Sequence, residues 1–323
     1  MSRWLVTGGA GYIGSHVVEE LLASGREVVV LDDFSAGLEQ RLVPGVPVVK
    51  ASVLDRAAVE GALRDHEVDG VIHLAARKAA GESVDIPLYY YRENVDGLLT
   101  VLEAMHSVGV TRLVYSSSAA VYGTPPENPV RESSPLQPES PYGETKVVGE
   151  WMAAASGVAW GLSWVALRYF NVAGAGRDAL GDNSVNNLIP MVFRALEEGR
   201  RPQIFGDDYP TPDGTCVRDY IHVADLAAAH VAAAERCESG QAADAYNVGR
   251  GIGSSVREVM DAVSASLGRD VDPEVVARRA GDPPATFAAT ERIASDLGWQ
   301  ATRDLPAMVE SAWSAWQATP PSR

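Results

Sequence analysis

Apolar residues in the first half of the chain alternate between short continuous runs and segments with helical spacing. The run at residues 4–7 predicts a buried strand, the spacing over 13–23 predicts a helix, and the run at 27–31 predicts a second strand. The pattern repeats, with further strands at 46–49, 70–74, 112–116 and 163–168 and helices at 55–65, 90–108 and 142–155. Strands that alternate with helices in this way predict an α/β fold with a parallel, doubly wound sheet.

The chain changes character after residue 171. Glycine, asparagine and proline become frequent through 172–190, and periodic helices then alternate with turn-rich loops such as 206–214. We therefore predict two domains, with the doubly wound sheet in 1–172 and a smaller mixed α/β domain in 173–323. The alanine-rich segment 219–234 could pack back on the first domain, so the boundary need not be a single cut.

Composition and charge narrow the classes of partner. The 323 residues are 46% apolar, and 43 acidic against 27 basic residues give a formal net charge of −16. A field of this sign disfavours nucleic acid and anionic membranes, so an anionic ligand must be held by local groups. Cys216 and Cys237 have no close spacing and the histidines no metal-ligand spacing, which predicts neither disulfides nor a metal site. The cysteine usage fits a reducing cytoplasm, and the chain start, which leads directly into a strand, predicts no signal peptide or membrane span.

Three glycines between the first predicted strand and helix form a candidate phosphate-binding loop. Gly8, Gly11 and Gly14 are spaced GxxGxxG. Glycine lets the backbone approach a pyrophosphate, whose charge then lies at the positive end of the helix that begins near Tyr12. Asp32 ends the second strand, where a carboxylate accepts hydrogen bonds from the adenosine ribose and repels a 2′-phosphate. This Rossmann-type pattern predicts an NAD site and favours NAD over NADP.

A tyrosine and a lysine are spaced YxxxK at the start of the predicted helix 142–155. This i, i+4 spacing puts Tyr142 and Lys146 on one helix face. The tyrosine pKa of about 10 must fall by roughly 3 units for the phenol to act as a base near neutral pH, and an ammonium with a cationic nicotinamide could supply that shift. An isolated YxxxK is more often a pair of exposed residues. Ser118 is the last of three serines at the carboxyl edge of the strand predicted near 112–116, where a hydroxyl can relay a proton, although such a serine is more often part of a strand-to-loop transition.

These features together resemble the extended short-chain dehydrogenase/reductase family. Four further runs are similar to those of its UDP-glucose 4-epimerases: 78–84 (KAAGESV), 168–171 (RYFN), 205–223 (FGDDYPTPDGTCVRDYIHV) and 279–283 (RAGDP). The similarity covers almost the whole chain. The run at 205–223 is highly specific, because a generic dehydrogenase has no reason to carry it.

The resemblance implies a role for each matching residue. Tyr142 is the acid/base, Lys146 binds the ribose and lowers the tyrosine pKa, and Ser118 contacts the sugar 4-hydroxyl. Other implied cofactor residues are Gly8, Gly11, Tyr12, Ile13, Gly14, Asp32, Ser52, Val53, Leu74, Ala75, Ala76, Lys78, Asn94 and Tyr169. Besides Lys78, Ser118 and Tyr142, those implied for a UDP-sugar are Phe170, Asn171, Asn187, Leu188, Phe205, Arg218, Arg279, Asp282 and Thr286. Arginine forks suit a diphosphate, although on sequence alone each arginine is more often a solvated surface charge.

The activity implied is NAD-dependent 4-epimerisation of UDP-glucose and UDP-galactose through a 4-keto intermediate. In the family's reaction the phenolate takes the 4-hydroxyl proton while hydride passes to NAD, and the hydride returns to the other face of the turned-over sugar. Ser52 departs from the aspartate usual near the adenine, so adenine recognition there is expected to be weaker or water-mediated. Thr286 aligns with a position whose small residues accompany N-acetylated sugars, so we also hypothesise turnover of UDP-N-acetylglucosamine.

Other activities share parts of this pattern. A sugar-nucleotide 4,6-dehydratase needs an acidic pair beside the catalytic hydroxyl, whereas Ala119 and Ala120 follow Ser118. Another UDP-sugar epimerase or a net reductase would use the same base and cofactor, and released NADH would identify net redox chemistry. A non-catalytic NAD-binding sensor would not need Tyr142 and Lys146. The family's dimer contact, formed by helices equivalent to 90–108 and 142–155, implies a homodimer.

Overall fold

The helices and strands follow the predicted alternation closely. The structure, a computed structural model, describes residues 1–240, 242–279 and 281–319. Residue 280 of the run 279–283 and residues 320–323 of the predicted second domain lie outside the described residues. In chain order the elements are β1 (Arg3–Thr7), α1 (Tyr12–Ala23), β2 (Glu27–Asp32), β3 (Val48–Lys50), α2 (Arg56–Asp65), β4 (Gly70–His73), α3 (Ala80–Asp85), α4 (Pro87–Tyr90), α5 (Gly97–Val108), β5 (Arg112–Ser116), α6 (Pro141–Trp160), β6 (Ser163–Tyr169), β7 (Asn171–Ala173), α7 (Leu188–Glu197), β8 (Gln203–Phe205), β9 (Val217–His222), α8 (Val223–Glu238), β10 (Ala243–Val248), β11 (Gly253–Ser255), α9 (Val256–Leu267), β12 (Glu274–Val276), β13 (Ala285–Thr286), α10 (Glu291–Leu297) and α11 (Leu305–Ala318).

Seven parallel strands form the main sheet in the order β3-β2-β1-β4-β5-β6-β10. The direction of winding reverses between β1 and β4. In open α/β sheets a ligand cleft forms at this reversal, beyond the carboxyl ends of the strands. The predicted doubly wound parallel sheet is confirmed.

Both faces of the main sheet are covered, which explains why its strands are continuous apolar runs. Trp4 and Val6 of β1 contribute to a core that includes α1 and α8, whereas Leu5 contributes to a second core with α2 and α5. All three side chains are fully buried. Successive strand residues point to opposite faces, so a strand between two helix layers needs an apolar residue at every position.

One predicted helix differs from the structure. The pattern at 90–108 predicts a single helix, but α4 is followed by a π-helical turn at Tyr91–Asp96 before α5 begins at Gly97. Asn94 within this turn is buried and hydrogen-bonded to the backbone of Arg77. π-Helical turns are frequent at functional sites, and this turn brings a polar side chain to the segment after β4.

The chain after residue 172 contributes to both parts of the molecule. Its smaller sheets are β11-β9-β13, with β7 on β9, and β12-β8. However, α8 packs against α1 and β10 pairs with β6, so this part of the chain returns to the main sheet. The division at residue 172 stays a prediction. No helix among the described residues is long and apolar enough to cross a membrane.

Candidate active site

The glycine loop between β1 and α1 leaves no room for a side chain at Gly8 or Gly14. Gly8 has a φ of +72°, and its N–H donates to Leu31 O at 2.8 Å. A Cβ on Gly14 would lie 2.1 Å from Gly8 O, so only glycine allows this close packing of helix and strand. Among the described residues, no side chain caps the N-terminus of α1. The positive end of the helix can therefore bind an anion, which fits the diphosphate of NAD.

Asp32 lies at the carboxyl end of β2 and is tied to the backbone around the glycine loop. Its Oδ2 accepts from Ala10 N at 2.9 Å, and its Oδ1 accepts from Phe34 N at 2.8 Å. Burial raises the pKa of this carboxyl, while the two N–H donors lower it. Each carboxylate oxygen can accept more than one hydrogen bond. Asp32 is therefore held in place and still able to accept ribose hydroxyls.

A first cleft opens at the reversal between β1 and β4. It extends from the glycine loop and Asp32 to Tyr142 and Lys146, and residues 182–184 also line it. All the residues that the resemblance implies for the cofactor line this cleft, except Asn94. The nucleotide-binding pattern and the YxxxK pair, which are more than a hundred residues apart in sequence, thus share one cleft.

Two of the cofactor residues implied by the resemblance use their polar groups within the protein. Asn94 Oδ1 accepts from Arg77 N at 2.7 Å, and its Nδ2 donates to Arg77 O and to Thr145 Oγ1, both at 3.0 Å. Asn94 therefore holds the backbone beside the first cleft instead of lining it. Ser52 Oγ accepts from Leu54 N at 3.2 Å and can still donate its own proton.

Tyr142 and Lys146 lie on the buried face of the first two turns of α6. Lys146 Nζ donates to Ser116 O at 2.8 Å and lies 5.9 Å from the centre of the Tyr142 ring. Burial lowers the pKa of Lys146 to about 8, although the Glu150 carboxylate raises it. Burial raises the pKa of Tyr142, and the Ser118 hydroxyl lowers it. The protein groups alone thus favour a neutral phenol beside a largely protonated lysine at pH 7.

Ser116 and Ser117, at the end of β5, are held by buried side chains from α8 and α6. Ser116 Oγ lies 2.8 Å from His230 Nε2, and Ser117 Oγ donates to Glu150 Oε1 at 2.5 Å. Glu150 also forms a buried ion pair with Arg168. A helical repeat could have indicated Glu150, which lies one turn after Lys146, whereas no local pattern indicates His230 or Arg168.

A second cleft lies beside the first, between β8, β9 and α7. It collects the following residues implied for the UDP-sugar: Asn171, Asn187, Leu188, Phe205, Arg218, Arg279 and Asp282. These residues come from five separate segments of the chain. These residues, which the family resemblance implied, are therefore brought together in the second cleft by the fold.

The second cleft carries surplus positive charge. Arg218 Nη2 lies 3.5 Å from Asp282 Oδ1, and Arg279 Nε lies 3.9 Å from Asp282 Oδ2. Arg218 Nη1 also donates to Pro283 O at 2.7 Å, while the Arg279 guanidinium lies 4.5 Å from the Phe205 ring centre. Two guanidinium groups thus share one carboxylate. This arrangement can bind an anion locally on a protein of net charge −16.

Other residues near the second cleft differ from the expected set. Phe170 is buried in a separate apolar cluster and does not line this cleft. Thr286 is buried on β13, paired with β9, and its Oγ1 has no hydrogen-bond partner among the described residues. Arg194, Arg200 and Arg201 line the cleft but were not predicted to do so. The adjacent arginines at 200 and 201 are a sequence signal that could have indicated them.

The chain is similar to known proteins along almost its whole length. Residues 4–249 match the model of the NAD dependent epimerase/dehydratase family. UDP-glucose 4-epimerase of Azospirillum brasilense is 46% identical over 321 residues, covering 98% of this chain and 92% of the relative. The chain belongs to the UDP-glucose 4-epimerase family. This confirms the resemblance to the extended short-chain dehydrogenase/reductases.

Solved structures of this epimerase family share the whole fold. The UDP-glucose 4-epimerase of Stenotrophomonas maltophila with bound NAD and formylated UDP-arabinopyranose has a TM-score of 0.94 at 38% identity, covering 98% of each chain. The UDP-Glc/GlcNAc 4-epimerase of Campylobacter jejuni has a TM-score of 0.88 at 35% identity, covering 99% of this chain and 100% of that chain.

In this family member, one segment connects the two clefts. Residues 182–184 line the first cleft, and Asn187 lines the second. Asn187 Nδ2 donates to Asp182 Oδ2 at 2.8 Å, and Lys78 Nζ donates to Ser184 Oγ at 3.3 Å across the first cleft. Groups that bind in the two clefts would therefore both contact this segment.

Proposed function

We propose that this protein interconverts UDP-glucose and UDP-galactose by epimerisation at C4, with NAD as its cofactor. The observation that carries this proposal is that Tyr142 and Lys146 line the same cleft as the glycine loop and Asp32. The anion site of the second cleft adds a place for a nucleotide diphosphate. Family membership supports the same cofactor and reaction.

The residues of the first cleft divide the chemistry among them. When bound, NAD supplies the acceptor and donor of hydride, so the reaction involves no net oxidation. Tyr142 Oη takes the proton of the sugar 4-hydroxyl and later returns it. Lys146, fixed by Ser116 O, supplies positive charge beside the phenol. Because burial raises the pKa of Tyr142, this base needs the positive charge of the nicotinamide as well as that of Lys146.

The residues of the second cleft hold the UDP group. Arg218 and Arg279 donate to its diphosphate, and Asp282 keeps both guanidinium groups in place through the contacts described above. The amides of Asn171 and Asn187 suit neutral hydroxyl groups. Most of the binding energy then comes from the nucleotide. The sugar itself can be held loosely and can turn either face toward the first cleft.

The test uses purified protein and UDP-galactose without added NAD. We expect UDP-glucose to form, and we expect Tyr142→Phe to reduce the rate by about 10²- to 10⁴-fold, the usual contribution of a general acid–base group. Tyr246→Phe is the control, because the Tyr246 hydroxyl contacts Asp296 at 3.4 Å, away from both clefts. No product even with NAD added would contradict the proposal. Stoichiometric release of NADH would instead indicate a net dehydrogenase.

A second substrate is supported by a small residue on β13, next to the second cleft but not lining it. Thr286 is a small residue paired in register with Arg218, and its buried hydroxyl is unpartnered among the described residues. The similar Campylobacter jejuni enzyme is a UDP-Glc/GlcNAc 4-epimerase. We propose that the protein also interconverts UDP-N-acetylglucosamine and UDP-N-acetylgalactosamine. If UDP-N-acetylgalactosamine gave no detectable product, this part of the proposal would be wrong.

We also propose that the protein is a cytoplasmic homodimer. On α5 and α6, Leu99 is 45%, Trp151 63% and Val158 92% exposed, and Trp151 and Val158 are seven residues apart on one helix face. Burial of these side chains in a symmetric helix contact would remove an exposed apolar patch. Light scattering at low micromolar concentration should give twice the chain mass, and Trp151→Glu should give the monomer. A monomeric wild-type protein would contradict the dimer.

A further inference from the structure

Arg41 is a buried arginine that neither the glycine loop nor the YxxxK pattern explains. It ends a 3₁₀ turn, Glu39–Arg41, that follows β2, and its residue surface is only 3% exposed. Its side chain lines the first cleft. Nη2 donates to Gly181 O at 2.6 Å and to Asn183 Oδ1 at 2.9 Å. The Nε is buried and has no hydrogen-bond partner among the described residues.

The charge of Arg41 lacks the kind of partner that Arg168, another buried arginine, has. Arg168 is buried to a similar degree and forms two hydrogen bonds with the Glu150 carboxylate. Both acceptors of Arg41 are neutral, and burial lowers its pKa although the Asp182 carboxylate raises it. Asp182 offsets part of the cost of burial, but a buried cation whose hydrogen-bond acceptors are neutral is still unfavourable. The guanidinium is therefore suited to an anion that enters the first cleft.

The surroundings of Arg41 indicate which anion. Tyr12, Arg41 and Asp182 all line the first cleft. Burial and then Asp182 raise the pKa of the Tyr12 phenol, whereas Arg41 lowers it. Tyr12 begins α1, whose N-terminus has no side-chain cap among the described residues. The positive end of α1 and the Arg41 guanidinium thus line the same cleft. A ligand with two adjacent negative charges would satisfy both.

We propose that Arg41 binds the diphosphate of NAD, opposite the N-terminus of α1, through a donor that the loop after β2 supplies. This rests on the proposed function, because it requires a dinucleotide in the first cleft. The same guanidinium also holds Gly181 and Asn183, so the bound diphosphate and the segment 181–184 share one positioning group. Loss of Arg41 should weaken phosphate-containing ligands selectively.

The experiment measures binding of two probes by calorimetry. ADP-ribose carries the diphosphate, and adenosine lacks any phosphate. Arg41→Gln should lower the affinity for ADP-ribose by about 10- to 100-fold, the range for hydrogen bonds to a charged group. The affinity for adenosine should not change. Arg41→Lys should give an intermediate ADP-ribose affinity, because it keeps the charge without the planar fork. The matched control is Arg177→Gln, since Arg177 is an exposed arginine of the neighbouring segment paired with Glu19.

The outcomes separate this role from a structural one and from the proposed function. The inference would be overturned if Arg41→Gln bound ADP-ribose as tightly as the wild type. It would also be overturned if the affinities for ADP-ribose and adenosine fell equally, because that result would mean that Arg41 only connects the loop after β2 to segment 181–184. If Arg41→Gln does not fold, Arg41→Lys decides by the same comparison. If wild-type protein binds neither ADP-ribose nor NAD, the proposed function fails as well. If the wild-type protein epimerised its substrate and Arg41→Gln bound ADP-ribose with unchanged affinity, only the role of Arg41 would be refuted.

Discussion

The buried ion pair between Glu150 and Arg168 provides a quantitative test of how the catalytic segment is held. Arg168 Nε donates to Glu150 Oε1 at 2.9 Å and Nη2 to Oε2 at 2.5 Å. The side chains are only 7% and 6% exposed for Arg168 and Glu150. Burial would lower the pKa of Arg168, but Glu150 and the Tyr122 phenol raise it above its ordinary value. Arg168 is therefore charged in the folded protein, and replacement of Glu150 by alanine leaves that charge unpaired.

The expected magnitude follows from this burial. Removal of one partner from a buried ion pair costs about 3–5 kcal/mol of stability. This is a large part of the free energy of unfolding of a typical protein, which is roughly 5–15 kcal/mol. Arg168 Nη1 keeps its bonds to Tyr122 Oη and Glu132 O, at 2.9 and 3.1 Å, so some compensation remains. Glu150→Ala should therefore lose about 3–5 kcal/mol of unfolding free energy, within the range for broken buried pairs. Glu150→Gln should lose less, because its carbonyl oxygen still accepts from the guanidinium.

The assay is denaturant unfolding of single and double variants. A variant that replaces both Glu150 and Arg168 with methionine should be more stable than Glu150→Ala, since it leaves no unpaired charge. Glu60→Ala is the control, because Glu60 belongs to a surface pair with Arg56 and should give a much smaller change. The reasoning is refuted if Glu150→Ala loses less than about 1 kcal/mol, the value for an ordinary exposed pair. It is also refuted if the double variant is the less stable one.

Three further predictions concern the cofactor loop and the acid limit of stability. Gly14→Ala places a Cβ 2.1 Å from Gly8 O and should abolish ADP-ribose binding. If a titration showed wild-type affinity in this variant, the packing argument would be wrong. Asp32→Ser removes the carboxylate that repels a 2′-phosphate and should raise NADP affinity relative to NAD, measured by competition; an unchanged ratio counts against this role. Burial alone would raise the pKa of Glu238. Hydrogen bonds, of which the one from Arg26 has the largest effect, instead lower this pKa from 4.5 to about 2. This stabilisation is complete above pH 4.5 and is lost as pH falls toward 2, so Glu238→Gln should flatten the fall in unfolding free energy over that window.

The features that sequence could predict are those with a local cause. Strand and helix periods depend on which faces are buried, and the GxxGxxG spacing depends on backbone contacts within one turn. The role of Asn94 was harder to predict because a π-helical turn directs its amide to Arg77. Arg41 carries no local signal at all. Its acceptors, Gly181 and Asn183, lie about 140 residues later and meet it only in the folded chain.

The stripe of α6 that contains the YxxxK pair extends one turn further than the motif. Tyr142, Lys146 and Glu150 follow one another at i, i+4 and i+8 on the buried face. A glutamate alone at that position would offset the lysine charge that phenolate formation needs. Arg168, which reaches Glu150 from β6, pairs with the carboxylate, and Glu150 still raises the pKa of Lys146, which favours a charged lysine beside the phenol. The helical repeat can therefore locate Glu150, but only the packing of β6 against α6 explains why an acid is compatible with catalysis there.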